Sequence, residues 1–164
     1  MKKIAFMLLW LSPLLGEDGP YVELYEEGSP KCEYNYVNGE FDGEQKEYYP
    51  SGQIKVCAHY KNQKRDGLHE EWYENGVLAL RVHFVEGRKD GQMGEWYEDG
   101  TAKLDNYFQV DQPDGVQNEW HENGQLKVRS EFLLGQKKGW QREWSEEGKL
   151  VSEAFFDNDE KVVR

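Results

Sequence analysis

Cysteine is scarce in this chain, basic residues are outnumbered by acidic ones, and only one short N-terminal segment is continuously apolar. Two cysteines in 164 residues exclude a disulfide framework. Cys32 and Cys57 could pair in an oxidising compartment, but they stand one residue out of step in the repeat described below, on opposite faces of their strands. Two free thiols are expected. Lysine and arginine number 20 against 32 aspartates and glutamates, a formal charge of −12. Such a surface repels phosphate backbones and anionic headgroups, which disfavours nucleic acid and membrane surfaces as partners. A basic protein, a cationic peptide or a divalent ion fits better, and the solubility of an exposed sheet also accounts for the charge. The four histidines lack the spacing of a zinc site: His59 and His83 share one column of the repeat, and His69 and His121 occupy two others. The acidic runs at 111–115 and 157–160 lack calcium-loop spacing. There is neither a phosphate-binding glycine loop nor a nucleophile elbow. No metal, cofactor or enzymatic activity is expected.

Residues 1–16 differ from the remainder. Lys2 and Lys3 precede the apolar run Ile4 to Leu11, and Ser12, Pro13, Leu14, Leu15 and Gly16 follow. This is the basic, apolar, small-residue layout of a secretory signal, and the run is short for a permanent membrane span. Export to the periplasm, envelope or medium is expected, with cleavage after Gly16; retention as an anchor is the alternative. Removing the segment takes away two lysines and no acids, moving the formal charge to −14.

What the chain has in abundance is repetition. Glycine recurs at Gly28, Gly52, Gly76, Gly100, Gly124 and Gly148, always 24 residues apart. Four residues before each stand Leu24, Tyr48, Trp72, Trp96, Trp120 and Trp144, and one residue earlier Glu23, Glu47, Glu71, Glu95, Glu119 and Glu143. A closing aromatic follows at the same interval: Tyr36, Tyr60, Phe84, Phe108, Phe132 and Phe156. A fixed period of this length marks an array of supersecondary units, none able to bury its apolar face alone. Asp-Gly pairs near 18, 42, 66, 90 and 114, with Lys138-Gly139 in the sixth place, mark the joints between units.

Each unit reads as a β-hairpin. Leu78, Leu80, Val82 and Phe84 alternate with other residues, the period of a half-buried strand. A two-residue turn would put Trp72 on the wrong face. A three-residue loop, Glu74-Asn75-Gly76, with a left-handed glycine sets Trp72 opposite Leu78 and Glu71 opposite Ala79. The same register sets Glu23, Glu47, Glu95 and Glu119 opposite Lys31, Lys55, Lys103 and Lys127. The predicted fold is all-β: six 24-residue hairpins over residues 17–164 in one elongated, twisted antiparallel sheet, twelve strands in a length of about 55 Å. One face is expected to carry tryptophans, aliphatics and closing aromatics, forming a trough or folding its halves together. The other carries glutamates, lysines and an exposed row of Tyr25, Tyr49, Tyr73 and Tyr97, a candidate partner-binding face. Pro20 suits an edge strand, and Val162 and Val163 could extend the far end.

The pattern Gly-x-x-x-Glu-Trp-Tyr-x-Asn-Gly, followed by an alternating strand and a closing aromatic, resembles the variant MORN repeat. Chains built wholly of such units resemble the bacterial YwqK-type family, described as antitoxin components of toxin–antitoxin pairs. The resemblance implies a binding role opposite a toxin partner. The expected function is therefore an exported, non-enzymatic repeat protein that binds another polypeptide through its sheet. A self-associating envelope scaffold and a carbohydrate-binding module are the alternatives. The glutamate column, repeated in every hairpin, reads as structural and not as a glycosidase pair.

Overall fold

The computed structural model describes residues 18–162. The signal segment read at 1–16 lies outside them, as does Val163. Among the described residues there is no helix. Strands β1 (Gly19–Leu24) and β2 (Pro30–Val37) form the first hairpin. The second joins β3 (Glu40–Phe41) and β4 (Gly43–Tyr48), one strand interrupted at Asp42, to β5 (Ile54–Lys61). The third pairs β6 (Lys64–Trp72) with β7 (Leu78–Val85), the fourth β8 (Arg88–Trp96) with β9 (Ala102–Gln109). In the fifth, β10 (Gln112–Pro113) and β11 (Gly115–Trp120), interrupted at Asp114, precede β12 (Leu126–Leu133). The sixth pairs β13 (Gln136–Trp144) with β14 (Leu150–Asp157), and β15 (Glu160–Val162) adds a short final strand on β14. All lie in sequence order in one open antiparallel sheet. Twelve expected strands thus become fifteen segments, because two strands break at aspartate and one is appended. Pro20 lies on the edge strand β1, as its missing N–H favours.

The corners follow the three-residue loop. Tyr73 N–H donates to the Val77 carbonyl at 2.9 Å, and Gly76 takes φ 84°, in the left-handed region that glycine enters without steric cost. Trp72 pairs with Leu78, as the sequence predicts. One residue further the prediction fails, because a bulge intervenes in every hairpin. Glu71 pairs with Leu80 and not Ala79, Glu47 with Val56, and Glu95 with Leu104. The extra residue at the bulge is the lysine column itself, with Ala79 and Val151 in two units.

The unit joints also differ from expectation. The chain reverses at two-residue turns such as Asn38-Gly39 and Glu86-Gly87, with positive φ at both central residues. This is the turn class whose twist matches that of the strands it joins. In the first, second, third and fifth units the aspartate of Asp-Gly, at the start of, at a break in or within the opening strand, holds the turn closing the same unit. Asn62 N–H donates to Asp42 Oδ2 at 3.2 Å, Glu86 N–H to Asp66 Oδ2 at 3.1 Å, and Leu134 N–H to Asp114 Oδ1 at 3.0 Å.

Extensive contacts run only between strands adjacent in the sheet. Among the described residues no second layer covers either face, so the alternative in which two halves fold together is not the one adopted. The core is correspondingly thin: Cys32, Ala58, Val82, Phe84, Gln45, His69 and Ser130 are buried on one face and Cys57 and Gly94 on the other.

Candidate functional site

Directly opposed residues share a face, so the bulge decides which columns meet. One transverse row runs without a break across the sheet: Glu23, Cys32, Glu47, Val56, Glu71, Leu80, Glu95, Leu104, Glu119, Val128, Glu143 and Ser152. The glutamates therefore share the face of Leu80, Val82 and the closing aromatics. Trp72 and Leu78 lie on the other face, where Trp96 and Ala102 follow the same pattern. The expectation that tryptophans and closing aromatics share a face is corrected for a simple reason: an inserted residue reverses the parity of alternation along the strand.

On the glutamate face the next row forms a floor. Gln45, Ala58, His69, Val82, Met93 and Asn106 are linked pair by pair, and Gln117, Ser130, Gln141 and Ala154 continue the pattern beyond them. On its far side the closing aromatics are interleaved with a second column that the sequence reading missed. Arg65 stands over the Phe84 ring at 5.2 Å, Lys89 over Phe108 at 5.0 Å and Lys137 over Phe156 at 5.1 Å. In the second hairpin Phe41 takes that column, 5.0 Å from Tyr36 and 5.4 Å from Tyr60 between ring centroids. The 24-residue period of positions 41, 65, 89 and 137 was the available signal.

The floor, the glutamates and the aromatic rail enclose a groove of about 220 Å³ at the second and third hairpins. Tyr34, Phe41, Val56, Ala58 and Tyr60 supply apolar walls, and Gln45, Glu47, Arg65, His69 and Glu71 the polar groups. The Tyr34 hydroxyl donates to Glu47 Oε1 at 3.1 Å; burial, ahead of that carboxylate, pushes the hydroxyl well above its usual range. His69, 4% exposed, places Nε2 2.7 Å from Glu71 Oε1. In the neutral ring Nε2 carries the hydrogen that the carboxylate accepts, and Nδ1 is then the acceptor. Among the described residues Nδ1 has no hydrogen-bond partner, and neither do two other buried groups of the same floor, Asn106 Oδ1 and Gln141 Oε1.

The tryptophan face carries a second recess of about 290 Å³, lined by Trp96, Trp120, Gly94, Arg81, Gln92 and Asp105 among others. The fourth hairpin departs here from its neighbours. A Cβ at Gly94 would stand 2.6 Å from Trp96 Cη2, so the indole lies over the glycine, in a column that holds Glu70 and Arg142 elsewhere. The indole is thus packed on its own strand.

Tyr25, Tyr49, Tyr73 and Tyr97 are half-buried, which corrects the reading of an exposed row. Their hydroxyls donate to main-chain carbonyls one repeat away: Tyr48 at 2.7 Å, Trp72 at 2.7 Å, Trp96 at 2.9 Å and Trp120 at 2.8 Å. His121 Nε2 takes the same place against Trp144 at 2.9 Å. The column stitches each corner to the next hairpin. Of the four predicted ion pairs three form, Lys31–Glu23 at 2.7 Å, Lys103–Glu95 at 3.0 Å and Lys127–Glu119 at 2.6 Å. The bulge brings each lysine beside its glutamate although the two are not register partners. Lys55 instead stands 5.8 Å over the Tyr49 ring. Cys32 and Cys57 are free and buried; burial pushes the Cys57 thiol up to about 11, and raises Cys32 as well. Both are held as unreactive thiols.

A comparison with curated proteins finds no match. A family model described as the MORN repeat variant matches residues 41–62, 65–86, 113–133 and 139–158, segments of the second, third, fifth and sixth hairpins. These segments make up just over half of the chain, which belongs to the MORN repeat variant family.

Proposed function

We propose that this protein is a non-enzymatic binding protein that receives an extended polypeptide along the groove of its glutamate face. The observation that carries the reading is the floor row, where His69 Nδ1, Asn106 Oδ1 and Gln141 Oε1 are buried without a hydrogen-bond partner among the described residues. A polypeptide supplies N–H donors along its whole length, and leaving such groups unpaired costs about 1–3 kcal/mol each. The aromatic and cationic rail adds apolar contact, and the glutamates opposite favour a basic partner. Glutamates that recur in every hairpin, three of them neutralised by lysine, support a structural role over catalysis. The resemblance to the YwqK-type family supports a toxin-like partner, and the character of residues 1–16 supports export.

Self-association is the second reading, favoured by β1, whose outer edge pairs with no strand among the described residues. The two are separated by photo-crosslinking residues placed at Met93 on the floor, at Arg129 on the opposite face and at Val22 on β1. One foreign polypeptide captured from Met93 and not from Arg129 is the expected result. Capture of the chain's own copies from Val22 alone would put self-association first. No capture from Met93, or equal capture from both faces, overturns the groove reading.

A further inference from the structure

Within the groove the glutamate row is not uniform. Glu23, Glu95 and Glu119 each hold the ammonium of the chain's own bulge lysine, at 2.6–3.0 Å. Glu71 has Ala79 at the bulge position, and Lys55, the bulge residue beside Glu47, lies over the Tyr49 ring. Glu47 and Glu71 flank Val56 on adjacent strands of the row, and neither makes an ion pair with lysine or arginine among the described residues. Beside them stand three tilted rings, Tyr34 and, from the rail, Phe41 and Tyr60, with Tyr34 and Phe41 centroids 5.3 Å apart and Phe41 and Tyr60 at 5.4 Å. His69 lines the same recess with Nε2 committed to Glu71 and Nδ1 unpartnered. Arg65, also at this recess, is turned onto the Phe84 ring with its Nε 3.4 Å from the Tyr60 hydroxyl.

We propose that Glu47, Glu71 and His69, walled by Tyr34, Phe41 and Tyr60, seat the ammonium of a lysine side chain carried by the bound polypeptide. This deepens the groove reading and rests on it. Three of the other four units show what such a glutamate takes, because there the chain supplies the lysine itself. A primary ammonium presents three donors, matching two carboxylates and one imidazole nitrogen, which a turn about the Cβ–Cγ bond of His69 delivers as the Nε2–Glu71 hydrogen bond is given up. A guanidinium is planar and suited to two parallel bonds with one carboxylate, a poorer match to three separate acceptors. The ring faces add attraction for a cation and cover its aliphatic stem.

The test uses the full chain and three blocked pentapeptides, glycine throughout except for a central lysine, arginine or norleucine. The side-chain 15N resonances of His69 report occupancy. The lysine peptide is expected to shift them saturably and the norleucine peptide to leave them in place, with arginine weaker than lysine. Glu47→Gln with Glu71→Gln should weaken lysine-peptide binding by about tenfold or more, while Glu26→Gln with Glu27→Gln, in an exposed corner, stays within about twofold. A circular dichroism melt of each variant confirms that it is folded. An unmoved His69, an equal response to norleucine, or unchanged binding by the Glu47/Glu71 variant overturns the seat. If Met93 still captures a polypeptide when the lysine peptide fails, only the seat falls; if Met93 captures nothing while the peptide binds, only the groove reading falls.

Discussion

The tyrosine column makes a prediction that separates stitching from partner contact. Changing Tyr25, Tyr49, Tyr73 and Tyr97 to phenylalanine keeps each ring in place and removes four hydroxyl-to-carbonyl bonds of 2.7–2.9 Å. A hydrogen bond of this kind contributes about 1 kcal/mol net, so the four together contribute about 4 kcal/mol. Each bond joins neighbouring repeats. The loss therefore falls on the coupling between units, on which the cooperativity of an array depends. With a urea m-value of about 2 kcal/mol/M, the unfolding midpoint should fall by about 2 M for the quadruple variant and about 0.5 M for Tyr73→Phe alone. The assay is urea unfolding followed by tryptophan fluorescence, which reports four of the six units through Trp72, Trp96, Trp120 and Trp144. Tyr107→Phe is the control, because that side chain is 47% exposed and its hydroxyl makes no hydrogen bond among the described residues. A quadruple variant whose midpoint moves no further than that of Tyr107→Phe would refute the reasoning and return the column to the partner-binding role read from the sequence.

Two further outcomes follow from the same structure. Val110, at φ 52° and 43% exposed, is a β-branched residue held in the left-handed region with little packing to lose. Val110→Asn should stabilise by about 1 kcal/mol, raising the melting temperature by about 3 °C in a calorimetric scan, and a fall would show that the valine makes a compensating contact. At alkaline pH the sign is set by groups whose folded value is raised by burial, namely Cys57, Cys32, Tyr34, Tyr36 and Tyr48. The unfolded chain releases these protons first, so their contribution is fully present below about pH 9 and is lost as pH rises further. Cys57, raised from 9.0 to about 11, accounts for about 2–3 kcal/mol of that loss, and Cys57→Ala should flatten the fall in urea midpoint between pH 8 and 11. Parallel pH profiles for the parent and Cys57→Ala would contradict this.

The amino-acid sequence by itself determined the hairpins, their number, their 24-residue period and the three-residue corner with its left-handed glycine. These rest on local chemistry: alternation along a strand, glycine at positive φ, and recurrence of the same residues at the same interval. What it could not determine was parity. The bulge beside Glu71 is one residue in the hydrogen-bond ladder, and nothing in Ala79 or in the lysines at its equivalents distinguishes a bulged residue from a paired one. That single insertion moves the glutamates onto the face of Val82 and Phe84 and leaves Trp72 on the other, so it determines which side chains line the groove. The turns were hidden for a related reason. Pairs as unlike as Asn62-Gln63 and Val110-Asp111 adopt the same positive φ because the ladder on either side imposes it, while Asp-Gly, the stronger turn signal, sits at or within the opening strand and holds the turn from a distance. The tyrosines, finally, read as exposed because their hairpin leaves them so. Only the next hairpin, laid alongside, brings the carbonyl that each hydroxyl meets, and that contact is a property of the stacked array, not of any one repeat.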